Sequence, residues 1–234
     1  VDDSDHECAA VRQRLPQVEV VQTPARPIDV PTCLEHIARL EVLSLTAEDL
    51  IKTEMYAQER KRREVRERVE SRGVGMGEYL ASLEMKMQVN FNDAAHLARL
   101  SQLTQKTNQF NLTTRRYNKH QMQEFIAASD WLVADFSLVD VFGHSGIVGL
   151  AILRLASKQQ AELDTFLMSC RVIGREAEAA FLHSLLRQLA EQGVKELVAD
   201  FLPTTKNELA KSFLPDQGFE KGADGRYRWH LGDT

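Results

Sequence analysis

The densest run of chemistry-bearing side chains is Lys106-Thr107-Asn108-Gln109-Phe110-Asn111-Leu112-Thr113-Thr114-Arg115-Arg116-Tyr117. Helix propensity does not explain it, because Asn and Thr compete for backbone hydrogen bonds and disfavour helix interiors. Two chemistries fit the pattern. Lys106, Asn108, Asn111, Thr113, Arg115 and Arg116 could bind a polar or phosphorylated ligand, with Arg115 or Arg116 clamping an anion through two parallel hydrogen bonds. The same side chains could instead cap the backbone of a loop. The first option predicts a turn whose side chains converge, with an arginine facing a pocket beside Cys170. Two further residues are candidates for catalysis. His144 lies in a glycine-flanked hairpin. Cys170 reads as a buried strand thiol, or as an acyl carrier if Arg171 lowers its pKa. The seven histidines share no zinc-ligand spacing.

Several elements must position these groups. Ser4 and Glu7 fit a capping box for a short helix that Pro16 stops, with a β-prone run at Val18, Val20 and Val21 after it. That strand-helix-strand opening is too small to bury a core alone. A helix over 32–40 and a long one from a Thr46/Asp49 cap to Arg72 form a helical linker over 32–77. Its stretch 59–72 holds seven basic and four acidic side chains and reads as a solvated helix laced by i,i+4 pairs. Gly73, Gly75 and Gly77 mark a domain boundary. From residue 78 the alternation of Met85, Met87, Val89 and Phe91 predicts a strand, Asn92 or Asp93 a helix start and Asn118 another. Strands are expected at 131–141, 146–155, 163–172, 197–202 and 227–231, with helices at 177–192 and 205–213.

The chain has 29 Lys and Arg against 34 Asp and Glu, a net charge of −5, which opposes broad nucleic-acid binding. No apolar run approaches the roughly 20 residues of a membrane span, and no leader-like segment opens the sequence. The three cysteines are widely separated, which fits a reducing cytoplasm.

The element order over 83–231, β-α-α-β-β-β-α-β-α-β, resembles that of the GCN5-related N-acetyltransferase (GNAT) family. Residues 170–177 resemble its R/Q-x-x-G-x-G/A loop, and Asn207 with Gln217-Gly218-Phe219 its closing segment. The expected fold class is therefore α/β (α+β), a mixed-sheet GNAT-like acyltransferase fold. The resemblance implies acetyl-CoA or acyl-CoA, with Arg171, Gly174 and Arg175 around a pyrophosphate on backbone N–H groups. Two departures oppose it. Glu176 puts a bulky negative charge where the anion should sit, and Leu214 replaces the tyrosine that would protonate the leaving thiolate.

The 106–117 string is also similar to the FkbH-like family, which carries a haloacid-dehalogenase (HAD) domain of subfamily IIIC. Asp2-Asp3-Ser4-Asp5 resembles that family's last HAD motif, and 142–149, 169–175 and 203–207 resemble three more segments. The resemblance implies the C-terminal edge of a HAD domain over 1–31, with Asp2 and Asp3 as Mg²⁺ ligands in an intact domain, and a GNAT-like domain over 78–234. It implies that a glyceryl unit passes from a phosphorylated substrate to an acyl carrier protein for a polyketide synthase, with Asn207 and the 106–117 string at the substrate or the carrier's phosphopantetheine. The early D-x-D nucleophile motif is absent from this chain. Three functions compete: part of a glyceryl-loading enzyme, an acyl-CoA-dependent N- or O-acyltransferase, and a non-catalytic scaffold.

Overall fold

The computed structural model describes residues 2–35, 37, 52–71 and 75–232. The caps expected at Thr46 and Asp49, the end of the 32–40 helix and Gly73 lie outside them. The chain divides into two compact units, 1–45 and 46–234.

In the first unit, helix α1 (Asp5–Arg14) begins at Ser4, whose hydroxyl accepts the Glu7 N–H at 3.3 Å. The chain then returns to pair Asp2 with Gln22 in a parallel bridge, through Asp2 N–H to the Val21 carbonyl at 3.2 Å and Thr23 N–H to the Asp2 carbonyl at 2.9 Å. Of the expected strand-helix-strand opening, the helix and this one isolated bridge are present among the described residues, with no strand on either side of the helix. Cys8 is its buried hydrophobic residue. Helix α2 (Val30–Glu35) follows a single 3₁₀ turn at Pro27–Asp29.

The second unit opens with α3 (Lys52–Ser71) and α4 (Met76–Ser82). There follow β1 (Lys86–Phe91), α5 (Leu97–Lys106), β2 (Phe110–Asn111), α6 (Lys119–Ala127), β3 (Trp131–Asp140), β4 (Gly143–Leu155) and β5 (Gln160–Met168). Then come α7 (Ala177–Glu191), β6 (Glu196–Ala199), α8 (Phe213–Asp216), β7 (Glu220–Lys221) and β8 (Tyr227–His230). The sheet order is β1-β3-β4-β5-β6-β8-β7, with β2 paired to β5. Neighbours are antiparallel except β5 and β6, which run parallel.

Alternation along the strands sends successive side chains to opposite faces. Val133, Leu150, Ile152 and Leu167 meet Leu100 and Leu103 of α5 and Met122 of α6 on one face. Ala134, Phe136 and Phe166 meet Phe181, Leu182, Leu185 and Leu189 of α7 on the other. Each fully buried Leu or Phe stabilises the stack by roughly 1.5–3 kcal/mol. Gly149 faces Phe136 across the ladder, and a Cβ there would fall 1.8 Å from the Phe136 ring. The expected mixed-sheet α/β architecture is present, helices packed on both faces.

Four expectations need correction. The 52–71 helix is solvated over most of its length and carries an Arg60–Glu64 i,i+4 pair, but it falls within the second unit and buries Arg62 against Asp140. Strand β5 stops at Met168 rather than 172, because Cys170–Val172 turns into a 3₁₀ helix. The expected 205–213 helix is a 3₁₀ turn at Glu208–Ala210 followed by α8, with Pro215 inside α8 rather than ending a helix before it. Strands β2 and β7 were not anticipated, being two residues each and too short to show a period.

Candidate functional site

The parallel pair β5/β6 is short. Residues 160–163 of β5 pair with 196–199 of β6, and β5 then runs on to Met168 as β6 leaves it. The backbone edge exposed by this parting is taken by β2. Phe110 pairs with Met168 and Asn111 with Leu167, and Leu112 N–H donates to the Phe166 carbonyl at 3.0 Å. On the far side of β2, Leu202 N–H donates to the Leu112 carbonyl at 2.8 Å.

Side chains hold this insertion in place. Asn111, fully buried, donates from Nδ2 to the Thr107 carbonyl at 3.2 Å and accepts at Oδ1 from Thr113 N–H and Thr114 N–H at 3.3 and 2.9 Å. Thr114 can then adopt a left-handed φ of 54°. Asn207, also fully buried, donates to the Asn111 and Leu202 carbonyls at 2.8 and 3.0 Å and accepts from the Thr204 N–H and hydroxyl at 2.7 and 3.0 Å. Thr113 Oγ1 donates to the Asp164 carbonyl at 2.9 Å. Arg115 pairs with the Asp164 carboxylate, which also accepts from Tyr117 Oη at 2.7 Å. Burial and then the Asp164 carboxylate raise the Tyr117 pKa, so this phenol is a hydrogen-bond donor. Arg116 reaches the Thr104 and Thr107 carbonyls and the Asn108 amide oxygen.

Beyond the end of β2 lies a cleft of about 700 Å³. Its floor is apolar, from Met55 and Leu103. Arg99, Lys106, Arg171 and Lys206 line it against a single lining carboxylate, Glu59, and Thr107, Asn108, Gln109, Ser169 and Thr205 add hydrogen-bonding groups. Arg99 donates to the Ile147 carbonyl at 3.1 and 3.0 Å, which fixes its place along α5. Cys170 opens onto the same cleft, on the 3₁₀ turn after β5. It is exposed, not a buried strand thiol, because the chain turns out of the sheet two residues earlier.

The turn into α7 is built differently from the expected anion cradle. Gly174 has φ +79°, a conformation that favours glycine. Arg175 does not face a ligand. It is buried, donating to Glu59 and to the Arg171 carbonyl, both at 2.7 Å, and to Asp140 and Ser145 at 3.3 Å. Burial, and then the Arg62 charge, lower its pKa. Arg62 from α3 completes the cluster with a two-pronged pair to Asp140 at 2.6 and 2.8 Å. Glu176 stands at the N-cap in a left-handed conformation, and Glu178 adds a carboxyl to the first turn. Helix α3 thus consumes an arginine assigned to the cofactor.

The structure therefore sorts the candidates. Lys106, Asn108, Cys170 and Arg171 meet at one cleft. Asn111, Thr113, Arg115, Arg116 and Asn207 hold the chain together around β2, and neither arginine lines that cleft. His144 is exposed on the β3–β4 hairpin opposite Val139, away from the cleft lining. Asp2 Oδ1 accepts Ser4 N–H at 2.9 Å. No group of three metal-ligating side chains occurs among the described residues. Among the described residues no helix is long and apolar enough to cross a membrane. The sequence reading missed Met55, Glu59, Arg99 and Lys206. Only Lys206, within the quoted 203–207 segment, carried a signal.

No family model matches the chain, and no curated protein matches it. Among solved structures it is similar to Ard1 from Thermoplasma volcanium, at 12% identity and TM-score 0.49 over 63% of this chain and 99% of that one. It is similar to the ribosomal-protein-S18-alanine N-acetyltransferase from Escherichia coli, at 15% identity and TM-score 0.48 over 64% and 96%. It is also similar to yncA from Salmonella typhimurium, solved with acetyl-CoA, at 14% identity and TM-score 0.48 over 64% and 96%.

Proposed function

We propose that the second unit is an acyl-transfer domain of GNAT type that binds its donor as an acyl-CoA thioester, with the phosphates of the donor in the cleft. One observation carries this reading. Four cationic side chains against one carboxylate line a cleft between the segment that leads into β2 and the turn that follows β5. Lys106 and Lys206 would hold phosphate oxygens, and Arg171 would add charge from the turn after β5. The bound thioester supplies the activated acyl group. The protein's own contribution is to bind and orient it.

A second reading takes the same phosphopantetheine arm from an acyl carrier protein, as the glyceryl-loading resemblance implies. It is favoured by the exposed rim of Lys106, Gln109, Thr205 and Lys206, which could meet an acidic carrier. Calorimetry with acetyl-CoA, and separately with a phosphopantetheine-loaded carrier protein, tests both. The expected result is binding that falls about tenfold or more in Lys106→Ala/Lys206→Ala, given the strength of charged hydrogen bonds. A double variant that binds both donors as the native protein does would refute the cleft as the site. Transfer from the carrier but not from CoA would select the second reading.

A further inference from the structure

We infer that strand β2 determines which part of a thioester donor this domain can read: the phosphate-bearing end in the cleft, and not the amide arm laid along β5. The inference rests on the donor reading above. An extended arm bearing amides can bind a sheet edge as an added strand does, through main-chain hydrogen bonds. In this sheet the edge suited to that is the length of β5 released by β6. It is already occupied along its whole run. Asp164 takes the Thr113 hydroxyl on its carbonyl, Phe166 takes Leu112 N–H, and Leu167 and Met168 pair with Asn111 and Phe110.

The occupant is also anchored from behind. The Phe110 ring packs at 5.2 Å from Phe213 and 6.2 Å from Phe166. The Leu112 carbonyl accepts from Leu202, and the Asn111 carbonyl from Asn207. Phe110, Asn111 and Leu112 are all buried. A ligand arm would have to displace backbone pairs on both sides of β2 together with two buried side chains. The acyl end of a donor held at the cleft therefore stays outside the sheet, and an acceptor must meet it there.

CoA differs from adenosine 3′-phosphate 5′-diphosphate by its pantetheine arm, so the two ligands isolate what the arm adds. Calorimetry on the whole chain should give dissociation constants within about twofold of each other, and pantetheine alone should not bind. Amide exchange at Phe110, Asn111 and Leu112 should not change when CoA is added. CoA binding tenfold tighter than the nucleotide, or measurable binding of pantetheine, would overturn the inference while leaving the donor reading intact. If neither CoA nor the nucleotide binds, both fall. Loosening β2 with Asn207→Ala and Thr113→Val should make CoA the tighter ligand by several-fold and speed exchange at Leu112. A variant that exchanges faster there yet still binds the two ligands equally would also count against it. Should the variant not fold, the native comparison decides alone.

Discussion

Asp140 at the end of β3 and Asp164 on β5 do the same job in different surroundings. Each carboxylate gathers an arginine and further donors. Asp140 takes Arg62 through both prongs, Arg175, and Phe142 N–H at 2.9 Å. Asp164 takes Arg115, Tyr117 and Thr165 Oγ1. The difference is water. The side chains of Asp140, Arg62 and Arg175 are 1%, 3% and 4% exposed, whereas Asp164 is 12% and Arg115 40% exposed. A buried cluster is costly to assemble and costlier to break, since any member left over is a bare charge in a poor solvent. A half-exposed pair can be rehydrated. The first cluster therefore fixes α3 to the domain, and the second tunes a loop that backbone pairs already hold.

The comparison breaks most sharply at Asp140. Asp140→Ala takes the two-pronged carboxylate from buried Arg62 and leaves Glu59 as the carboxylate beside Arg175, and should cost about 3–5 kcal/mol in denaturant unfolding. It should also free α3, seen as faster amide exchange over 54–68. A loss below about 1 kcal/mol would mean that water reaches Arg62 and Arg175 and that the contrast with Asp164 is false. Arg115→Ala is the matched, smaller change. It should cost about 1 kcal/mol or less, with the loss shrinking at high salt, and should leave donor binding at the cleft unchanged. Weakened donor binding in Arg115→Ala would restore the ligand-clamp reading of the 106–117 string.

The two clusters also divide what the sequence reveals from what it hides. Local chemistry was legible. Asn118 caps α6 in a full capping box with Gln121, Ser4 caps α1, and the alternation ending at Phe91 gives β1. These follow from contacts a few residues apart. Arg62 was hidden because one of seven basic residues in the 59–72 stretch carries no mark of burial. Its partner lies 78 positions away. Arg175 beside Gly174 read as a ligand group because residues 170–177 resemble the GNAT phosphate loop, and its partners Asp140, Ser145 and Glu59 are all distant in sequence. Phe110 and Asn111 form a strand only because β5 offers an unpaired edge, a fact of topology. The 106–117 string was legible as unusual, and its two ends differ in place: residues 106–109 line the cleft, and 110–117 tie down the chain.

Glu178 supplies the third case, a carboxyl with a buried oxygen and no answering cation among the described residues. Its Oε2 has no hydrogen-bond partner among the described residues. Burial, the largest influence, raises its pKa above the ordinary 4.5; its own backbone N–H partly offsets this, and the neighbouring Glu176 charge adds to it. The folded protein therefore holds this proton more tightly than the unfolded chain does. Below the ordinary carboxyl range both states are protonated and Glu178 costs nothing. As pH rises through the raised value, the folded state must either bury a charge or keep a proton that the unfolded chain has released, and stability falls. Glu178→Gln removes the titration while keeping the shape. Its advantage over the native protein should be near zero at about pH 4 and should grow to a fraction of a kcal/mol by about pH 7, read from paired thermal melts. A gap that stayed constant across that range would show that the Glu178 carboxyl is hydrated in the folded state. A half-buried carboxyl without a cation would then not extend the series that Asp140 and Asp164 begin.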